Sequence, residues 1–177
     1  MDKFIWISGS INSGKTTIAK LLSEKIENSV NIELDVLSHF ANKLSLDKKA
    51  NFIIQDGLDL ARNWLNRSSF PILNWPLWGD EAEFMLMYAR QLQLEPIIVN
   101  LVPDIEVIKR DRGERVLTDW ELNRIDFMYN TGKINEPKYG IKINNGYLTQ
   151  DETADKIIRI LKHEYSVEVY AENSSFQ

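Results

Sequence analysis

The sequence contains no cysteine and only two histidines among its 177 residues. The lack of cysteine excludes a disulfide framework, a thiol nucleophile and a zinc or iron–sulfur site built on thiolates. His39 and His163 stand alone, without the spacing of paired metal ligands. No stretch approaches the roughly 18 consecutive apolar residues of a membrane span. The start, MDKFIWISG, has an acidic second residue and reaches a glycine by position 9, so it is too short and wrongly charged for a secretory signal. We therefore expect a cytoplasmic protein without a membrane segment.

Positive charge is also scarce. The chain has 21 Lys and Arg against 26 Asp and Glu, a formal net charge of −5 with both histidines neutral. This balance argues against binding to duplex nucleic acid, because such binding needs many cations to neutralise phosphates. Apolar residues make up 44% of the sequence and aromatic residues 10%, enough to fill the core of one domain of this length. We expect a single domain over residues 1–177, with residues 171–177 as a flexible tail.

Short apolar runs alternate with helical patterns along the chain. Strands are expected over residues 4–8, 30–35, 70–75, 96–102 and 139–144. Helices are expected over residues 14–27 and 47–66, and further helices should begin at Asp80, Thr118 and Thr149, each of which has glutamate three residues later in a capping-box pattern. Strands that alternate with helices predict an α/β fold with a five-stranded, mainly parallel sheet and helices on both faces. In such folds ligands bind at the carboxyl ends of the strands.

Residues 9–16 read GSINSGKT, a full match to GxxxxGK[ST]. The motif follows an apolar strand and precedes a helix, which is the position of a phosphate-binding loop. Its glycines let successive amides point into one concavity, and the helix adds its positive amino end. Lys15 is predicted to reach the β- and γ-phosphates, and Thr16 to bind Mg²⁺. The residues predicted to bind the nucleotide here are Gly9, Ser10, Asn12, Ser13, Gly14, Lys15, Thr16 and Thr17.

Missing motifs narrow the class of nucleotide enzyme. A GTPase needs a guanine-reading loop and a DxxG switch; residues 42–45 (NKLS) lack the carboxylate of the guanine motif and lie too early in the chain. The third predicted strand passes through Asn74 and offers no acidic pair that would order a hydrolytic water. A small chain with a phosphate-binding loop and no hydrolytic carboxylate favours a kinase.

Asp35 closes the second predicted strand and is expected at the same sheet edge as the phosphate-binding loop. A carboxylate there can accept the proton of a substrate hydroxyl and orient its oxygen toward the γ-phosphorus. The alternative role for Asp35 is to cap the turn that follows the strand. Glu33, two residues earlier, is expected to face away from the site.

Three arginines lie in the segment KRDRGER at residues 109–115, after the fourth predicted strand. In a lid over residues 109–131 they can close over the triphosphate and neutralise charge on the transferred group. Arg110, Arg112 and Arg115 cannot share one helical face, so they cannot all point into the cleft together. A solvated, mixed-charge helix end is the alternative for each of them.

Aromatic residues are concentrated between the second and fourth predicted strands. Trp75 and Trp78 fall on a loop there, and together with Phe40 they can line a pocket for a flat or amphiphilic acceptor. Packing in the core is the alternative role of the two tryptophans. Asp80 and Glu81 favour a cationic acceptor if they face that pocket, and they are equally well explained as charges at a helix start.

These motifs together resemble the small P-loop kinase superfamily over nearly the whole chain, up to about Leu161. The resemblance rests on GSINSGKT, NIELD, RDRGERV, the helix with IDFMY, and LTQDETADKIIRIL. Within the superfamily the sequence is similar to chloramphenicol phosphotransferase-like proteins and to the kinase domain of polynucleotide kinases. The resemblance implies the P-loop NTPase three-layer sandwich, ATP and Mg²⁺ as cofactors, Asp35 as catalytic base, and Arg112 and Arg115 as nucleotide contacts. Similarity to polynucleotide kinases adds Arg110 as a phosphate ligand.

The activity expected from the sequence is transfer of the γ-phosphoryl group of ATP to a hydroxyl of a small molecule, either an antibiotic or a metabolite. In this reading Lys15 holds the triphosphate, Asp35 deprotonates the acceptor, and Arg112 or Arg115 closes the site. Two alternatives stay open: a kinase of nucleic-acid 5′-hydroxyls or of nucleotides, and a nucleotide-binding regulator without an acceptor. The chain is expected to act as a monomer or a homodimer.

Overall fold

A computed structural model describes residues 1–110, 116–132, 134 and 136–167. The strands are β1 (Asp2–Gly9), β2 (Ser29–Glu33), β3 (Phe70–Asn74), β4 (Leu94–Leu101) and β5 (Ile141–Ile143). The helices are α1 (Lys15–Lys25), α2 (Leu34–Phe40), α3 (Leu46–Leu65), α4 (Glu81–Gln91), α5 (Ile105–Ile108), α6 (Asp119–Asn130) and α7 (Gln150–Tyr165).

The five strands form one sheet in the order β2-β3-β1-β4-β5, and every neighbouring pair is parallel. This confirms the predicted α/β fold. The register pairs Glu33 with Asn74 across β2 and β3, and Gly9 with Leu101 across β1 and β4. The carboxyl ends of four strands therefore meet at one edge, where ligands bind in such folds.

The central strand β1 is buried on both faces, as a parallel sheet covered by helices requires. Phe4 and Trp6 pack on one face with residues of α3 and α4, and Ile5 and Ile7 pack on the other face with residues of α1 and α7. All four side chains are fully buried, and each contributes roughly 1.5–3 kcal/mol of hydrophobic stabilisation. The result is a sheet between two helical layers.

Two of the three predicted capping boxes are present. Thr118 and Thr149 each accept a hydrogen bond from the amide three residues later, and the glutamate there accepts one from the cap backbone. The capping box predicted at Asp80 is wrong, since Asp80 makes no side-chain cap bond. Its backbone is already helical (φ −82°, ψ −5°), whereas a cap side chain reaches back to the helix amides from an extended backbone.

Among the described residues, no helix combines the length and the apolar composition that crossing a membrane requires. The predicted tail at residues 171–177 lies outside the described residues, as do Arg112 and Arg115.

Candidate functional site

The phosphate-binding motif forms the turn between β1 and α1. Its backbone takes left-handed or glycine-only conformations at Gly9 (φ 149°), Asn12 (φ 61°) and Gly14 (φ 92°). A Cβ atom on Gly9 would lie 2.5 Å from Ser13 Oγ and 2.6 Å from the Leu101 carbonyl oxygen, so only glycine fits there. Gly14 offers no capping side chain, and the first turn of α1 contains no acidic residue. The amides at this helix start are therefore suited to an anion.

Neighbouring elements hold this turn from both sides. Asn145, on the loop between β5 and α7, donates from Nδ2 to the Ser13 carbonyl oxygen at 2.9 Å. Asn12 donates to the carbonyl oxygens of Ile108 and Arg110, at 2.7 and 3.2 Å. The loop conformation is thus fixed by contacts with residues that lie far away in the sequence. Asn145 is a site residue that the sequence analysis missed, because nothing local marks it.

A cavity of about 1110 Å³ opens beside this turn at the carboxyl edge of the sheet. This volume lies at the upper end of the roughly 300–1,000 Å³ typical of small-molecule sites. Lys15 lies in its wall with its Nζ atom donating to the Ser10 carbonyl oxygen at 2.7 Å. The wall also includes Thr16, Asp35, Trp75, Trp120 and Arg124.

The carboxylates at the end of β2 differ from the prediction. The strand ends at Glu33, and Asp35 lies in the first turn of α2. Thr16 Oγ1 donates to Glu33 Oε1 at 2.9 Å, so the expectation that Glu33 faces away is wrong. Residues two apart in a strand share a face, and this periodicity pointed to Glu33 as well as Asp35. Asp35 is exposed and lines the cavity.

Packing of α2 against α3 explains why the chain turns into a helix at this point. Leu34 is fully buried, and its Cδ2 atom lies 2.5 Å from the position that a Cβ would take on Gly57. Gly57 therefore allows α3 to approach α2 closely. Burial of Leu34 leaves the next residue, Asp35, on the cavity side of the helix start.

Asn74 ends β3 opposite Glu33, so the two side chains emerge on the same face of the sheet. Asn74 is fully buried and donates from Nδ2 to Asn31 Oδ1 at 3.3 Å, while its Oδ1 has no hydrogen-bond partner among the described residues. Hydroxyl, carboxylate and amide oxygens are donors that Mg²⁺ accepts. The Thr16 hydroxyl and the Glu33 carboxylate therefore fit a magnesium site, with Asn74 next to Glu33 across the sheet. The described residues contain no group of three or more His, Asp or Glu side chains that could hold a metal ion.

The predicted aromatic wall is realised only in part. Trp75 is 4% exposed, lines the cavity, and accepts a hydrogen bond from Trp6 Nε1 on its carbonyl oxygen at 2.9 Å. Trp78 stacks on Phe127 of α6, with ring centroids 5.2 Å apart. Neither Trp78 nor Phe40 lines the cavity, and Phe40, the last residue of α2, is 84% exposed.

The two acidic residues at the start of α4 do not line this cavity. Glu81 Oε2 accepts a hydrogen bond from the Trp78 amide at 2.9 Å. Asp80 lines a separate cavity of about 210 Å³ that also includes Glu83 and Lys138. The interpretation of Asp80 and Glu81 as helix-start charges therefore fits the structure better than a role in attracting a cationic acceptor.

Two tyrosines fix loops near the turn of residues 9–16. Tyr129 of α6 donates to the Pro103 carbonyl oxygen at 2.5 Å, and its burial raises the pKa of the Tyr129 hydroxyl above its ordinary value. Tyr147 donates to Asp104 Oδ2 at 2.9 Å, and this bond to a carboxylate also raises the pKa of Tyr147. Both hydroxyls therefore stay protonated at neutral pH. They connect α6 and the β5–α7 loop to the loop that follows β4.

Comparison with known proteins gives a fold but no family match: no protein-family model and no curated protein matches the sequence. A sugar kinase structure from Janibacter sp. HTCC2649 matches with a TM-score of 0.70 at 15% identity, covering 96% of this chain and 100% of that chain. Shikimate kinase from Aquifex aeolicus vf5 matches with a TM-score of 0.60 at 19% identity, covering 94% of this chain and 99% of that chain.

A third similar structure contains bound ligands. It is the APS kinase from Mycobacterium tuberculosis in complex with AMPPNP and APS, with a TM-score of 0.63 at 16% identity, covering 91% of this chain and 98% of that chain. At these identities the likeness shows the fold. The chain has the fold of the P-loop small-molecule kinases, as its sequence resemblance predicted.

Proposed function

We propose that the protein is a kinase that transfers the γ-phosphoryl group of ATP to a hydroxyl of a small molecule. One observation carries this proposal: the phosphate-binding loop and the exposed carboxylate of Asp35 line the same cavity. Phosphoryl transfer needs little covalent chemistry from a protein, because catalysis comes from positioning and charge stabilisation. A triphosphate cradle beside a carboxylate that can receive a proton supplies both.

The loop and the start of α1 bind the triphosphate. The backbone amides of residues 9–16 and the positive end of the helix face the phosphates. Lys15 Nζ, which now bonds to the Ser10 carbonyl oxygen, exchanges that partner for the β- and γ-phosphate oxygens. Arg110, Arg112 and Arg115 are proposed to add positive charge from the lid.

Thr16 and Glu33 would hold Mg²⁺, and Asn74 would accept a hydrogen bond from water near the ion. This assignment rests on the 2.9 Å contact between the Thr16 hydroxyl and the Glu33 carboxylate and on the buried Asn74 Oδ1, which has no hydrogen-bond partner in the described part of the chain. When bound, the ion neutralises charge on the β- and γ-phosphates.

Asp35 receives the acceptor proton. The acceptor oxygen forms a bond to the γ-phosphorus, the bond between that phosphorus and the bridging oxygen breaks, and ADP leaves. The hydroxyl proton passes to the Asp35 carboxylate. Trp75 lies in the same wall and packs against the body of the acceptor.

The variant Asp35→Asn tests this assignment. Asparagine keeps the shape of the side chain but cannot take the proton, so turnover should fall by about 100-fold or more, while the Kd for AMPPNP with Mg²⁺ stays within about twofold of wild type. Acceptors are found by incubating the protein with ATP, Mg²⁺ and panels of sugars, nucleosides and hydroxylated antibiotics, and detecting phosphorylated products by mass spectrometry.

The matched control is Asp56→Asn, which makes the same change at an exposed position of α3 and should leave turnover unchanged. Turnover at the wild-type rate in Asp35→Asn would remove Asp35 from the mechanism. AMPPNP binding without a phosphorylated product from any panel would favour the alternative of a nucleotide-binding regulator.

A further inference from the structure

Arg124 projects from α6 into the cavity wall with its guanidinium held over two aromatic rings. The guanidinium carbon lies 5.0 Å from the centroid of the Trp78 ring and 5.3 Å from that of Phe127. Cation–π contacts of this kind bind the flat faces of an arginine and fix its orientation. The N–H groups at the edge of the guanidinium then keep their capacity to donate to a ligand.

The charge of Arg124 is not neutralised within the described part of the chain, where it forms no ion pair. Glu121, one turn earlier on α6, serves the helix cap: its Oε2 accepts from the Thr118 amide at 2.9 Å and from Thr118 Oγ1 at 3.0 Å. Asp126 is paired with Lys109 at 2.8 Å. A half-buried guanidinium at a cavity wall without such a partner is suited to bind an anion from outside the protein.

The position of Arg124 assigns it to the acceptor end of the cavity. Its stacking partner Trp78 belongs to the loop after β3, which also contributes Trp75 and Pro76 to the cavity wall. On α6, Trp120 lies one turn before Arg124 and Met128 one turn after it, and all three line the cavity. Glu121 of α6 lines the same wall, and its Oε2 atom is held by Thr118. The other neighbours of Arg124 in this wall, Trp120, Met128 and Trp75, are aromatic or apolar.

We propose that the acceptor carries an oxyanion, a carboxylate or a phosphate monoester, in addition to the hydroxyl that is phosphorylated, and that Arg124 binds this oxyanion. The inference rests on the proposed function, since it specifies the acceptor of the same site. The planar fork of an arginine matches two oxygens of either group. Asp35 repels such an anion, so the acceptor binds with its oxyanion at Arg124 and its hydroxyl at Asp35.

Binding is measured by calorimetry in the presence of AMPPNP and Mg²⁺, where no turnover is needed. The probes are two matched pairs: para-(hydroxymethyl)benzoate with its methyl ester, and glucose 6-phosphate with glucose. In wild type, at least one oxyanion probe should bind more tightly than its neutral partner, and the pair that shows the difference identifies carboxylate or phosphate. In Arg124→Gln the affinity for that probe should fall by about tenfold or more, and that for the neutral partner by less than twofold.

Two further variants control the measurement. Arg124→Lys keeps the charge without the bidentate fork and should give an intermediate affinity. Arg90→Gln, at an exposed position in the last turn of α4, should match wild type. Melting temperatures without ligand establish that each variant is folded. If Arg124→Gln is not folded, the comparison of Arg124→Lys with wild type tests the inference.

The outcomes separate this inference from the proposed function. Phosphorylation of neutral probes without any preference for their oxyanion partners would overturn the role of Arg124 and support a kinase. Loss of oxyanion binding in Arg124→Gln, with no phosphorylation of any acceptor, would support the role of Arg124 and overturn the kinase. A weaker Kd for AMPPNP in Arg124→Gln, with unchanged probe binding, would overturn the inference by assigning Arg124 to the nucleotide.

Discussion

The two ends of the cavity are built in different ways. At the proposed nucleotide end, one contiguous segment, residues 9–16, offers an anion cradle built mainly from its backbone, and Ser10 and Ser13 are almost fully buried. At the proposed acceptor end, Asp35 and Arg124 belong to α2 and α6, and Trp78, from the loop after β3, lies beneath Arg124. Under the proposed function, a contiguous backbone motif would define the chemistry that such kinases share, whereas separated side chains would define which acceptor enters.

The largest expected effect tests the claim that the backbone defines the nucleotide end. In Gly9→Ala the added Cβ would clash with Ser13 Oγ and the Leu101 carbonyl oxygen, at a φ of 149° that suits glycine alone. We expect the free energy of unfolding to fall by about 3 kcal/mol or more, and AMPPNP binding to be lost. Urea unfolding and calorimetry measure the two effects.

The control is Gly132→Ala, also at positive φ (71°), where an added Cβ meets no described atom within 4 Å. Only the left-handed backbone is strained there, so about 1 kcal/mol should be lost without an effect on AMPPNP binding. Equal losses in the two variants would show that backbone conformation alone, and not close packing of the loop, accounts for the glycine at position 9.

The turn of residues 9–16 could be predicted from the sequence because its information is local. GSINSGKT fixes both a backbone shape and the position of Lys15, and the alternation of strands and helices fixes the sheet edge where that turn lies. At the acceptor end, Arg124 had no local signal, because its role depends on Trp78, 46 positions away, folding beside it. Glu33 did have a signal in the strand periodicity, and it was assigned to the wrong face.

Glu33 lies between the two ends of the cavity. Its substitution should have a smaller effect, limited to the Mg²⁺ dependence of AMPPNP binding. Glu33→Gln keeps the shape of the side chain that contacts Thr16 but removes its charge. If Glu33 binds Mg²⁺, the concentration of Mg²⁺ that half-maximally strengthens AMPPNP binding should rise by about tenfold, since affinity for this ion depends on ligand charge. Titration of AMPPNP binding with Mg²⁺ measures this without turnover.

In the same variant, AMPPNP binding without Mg²⁺ and binding of acceptor probes should be unchanged. Glu27→Gln, an exposed position just after α1, is the matched control. A Mg²⁺ dependence identical to that of wild type would leave Glu33 as a hydrogen-bond partner of Thr16 only.

The smallest effect compares two helix starts, one in the wall of the large cavity and one after the loop that follows β3. Thr149 lies in the cavity wall and begins α7 with a complete capping box, accepting from the Glu152 amide at 3.1 Å. Asp80 begins α4 after the loop that follows β3. It has the same sequence pattern but makes no cap bond from its helical backbone, and Glu83 pairs with Lys138 at 2.6 Å. Thr149→Ala should therefore lower the free energy of unfolding by about 1 kcal/mol.

Asp80→Ala should change the free energy of unfolding by less than about 0.5 kcal/mol. Urea unfolding of Thr149→Ala and Asp80→Ala measures the difference. Equal losses would mean that Asp80 caps α4 in solution, so that local sequence controls both helix starts. A difference as expected would show that, at the acceptor end, contacts between distant residues override a local pattern that is followed at the nucleotide end.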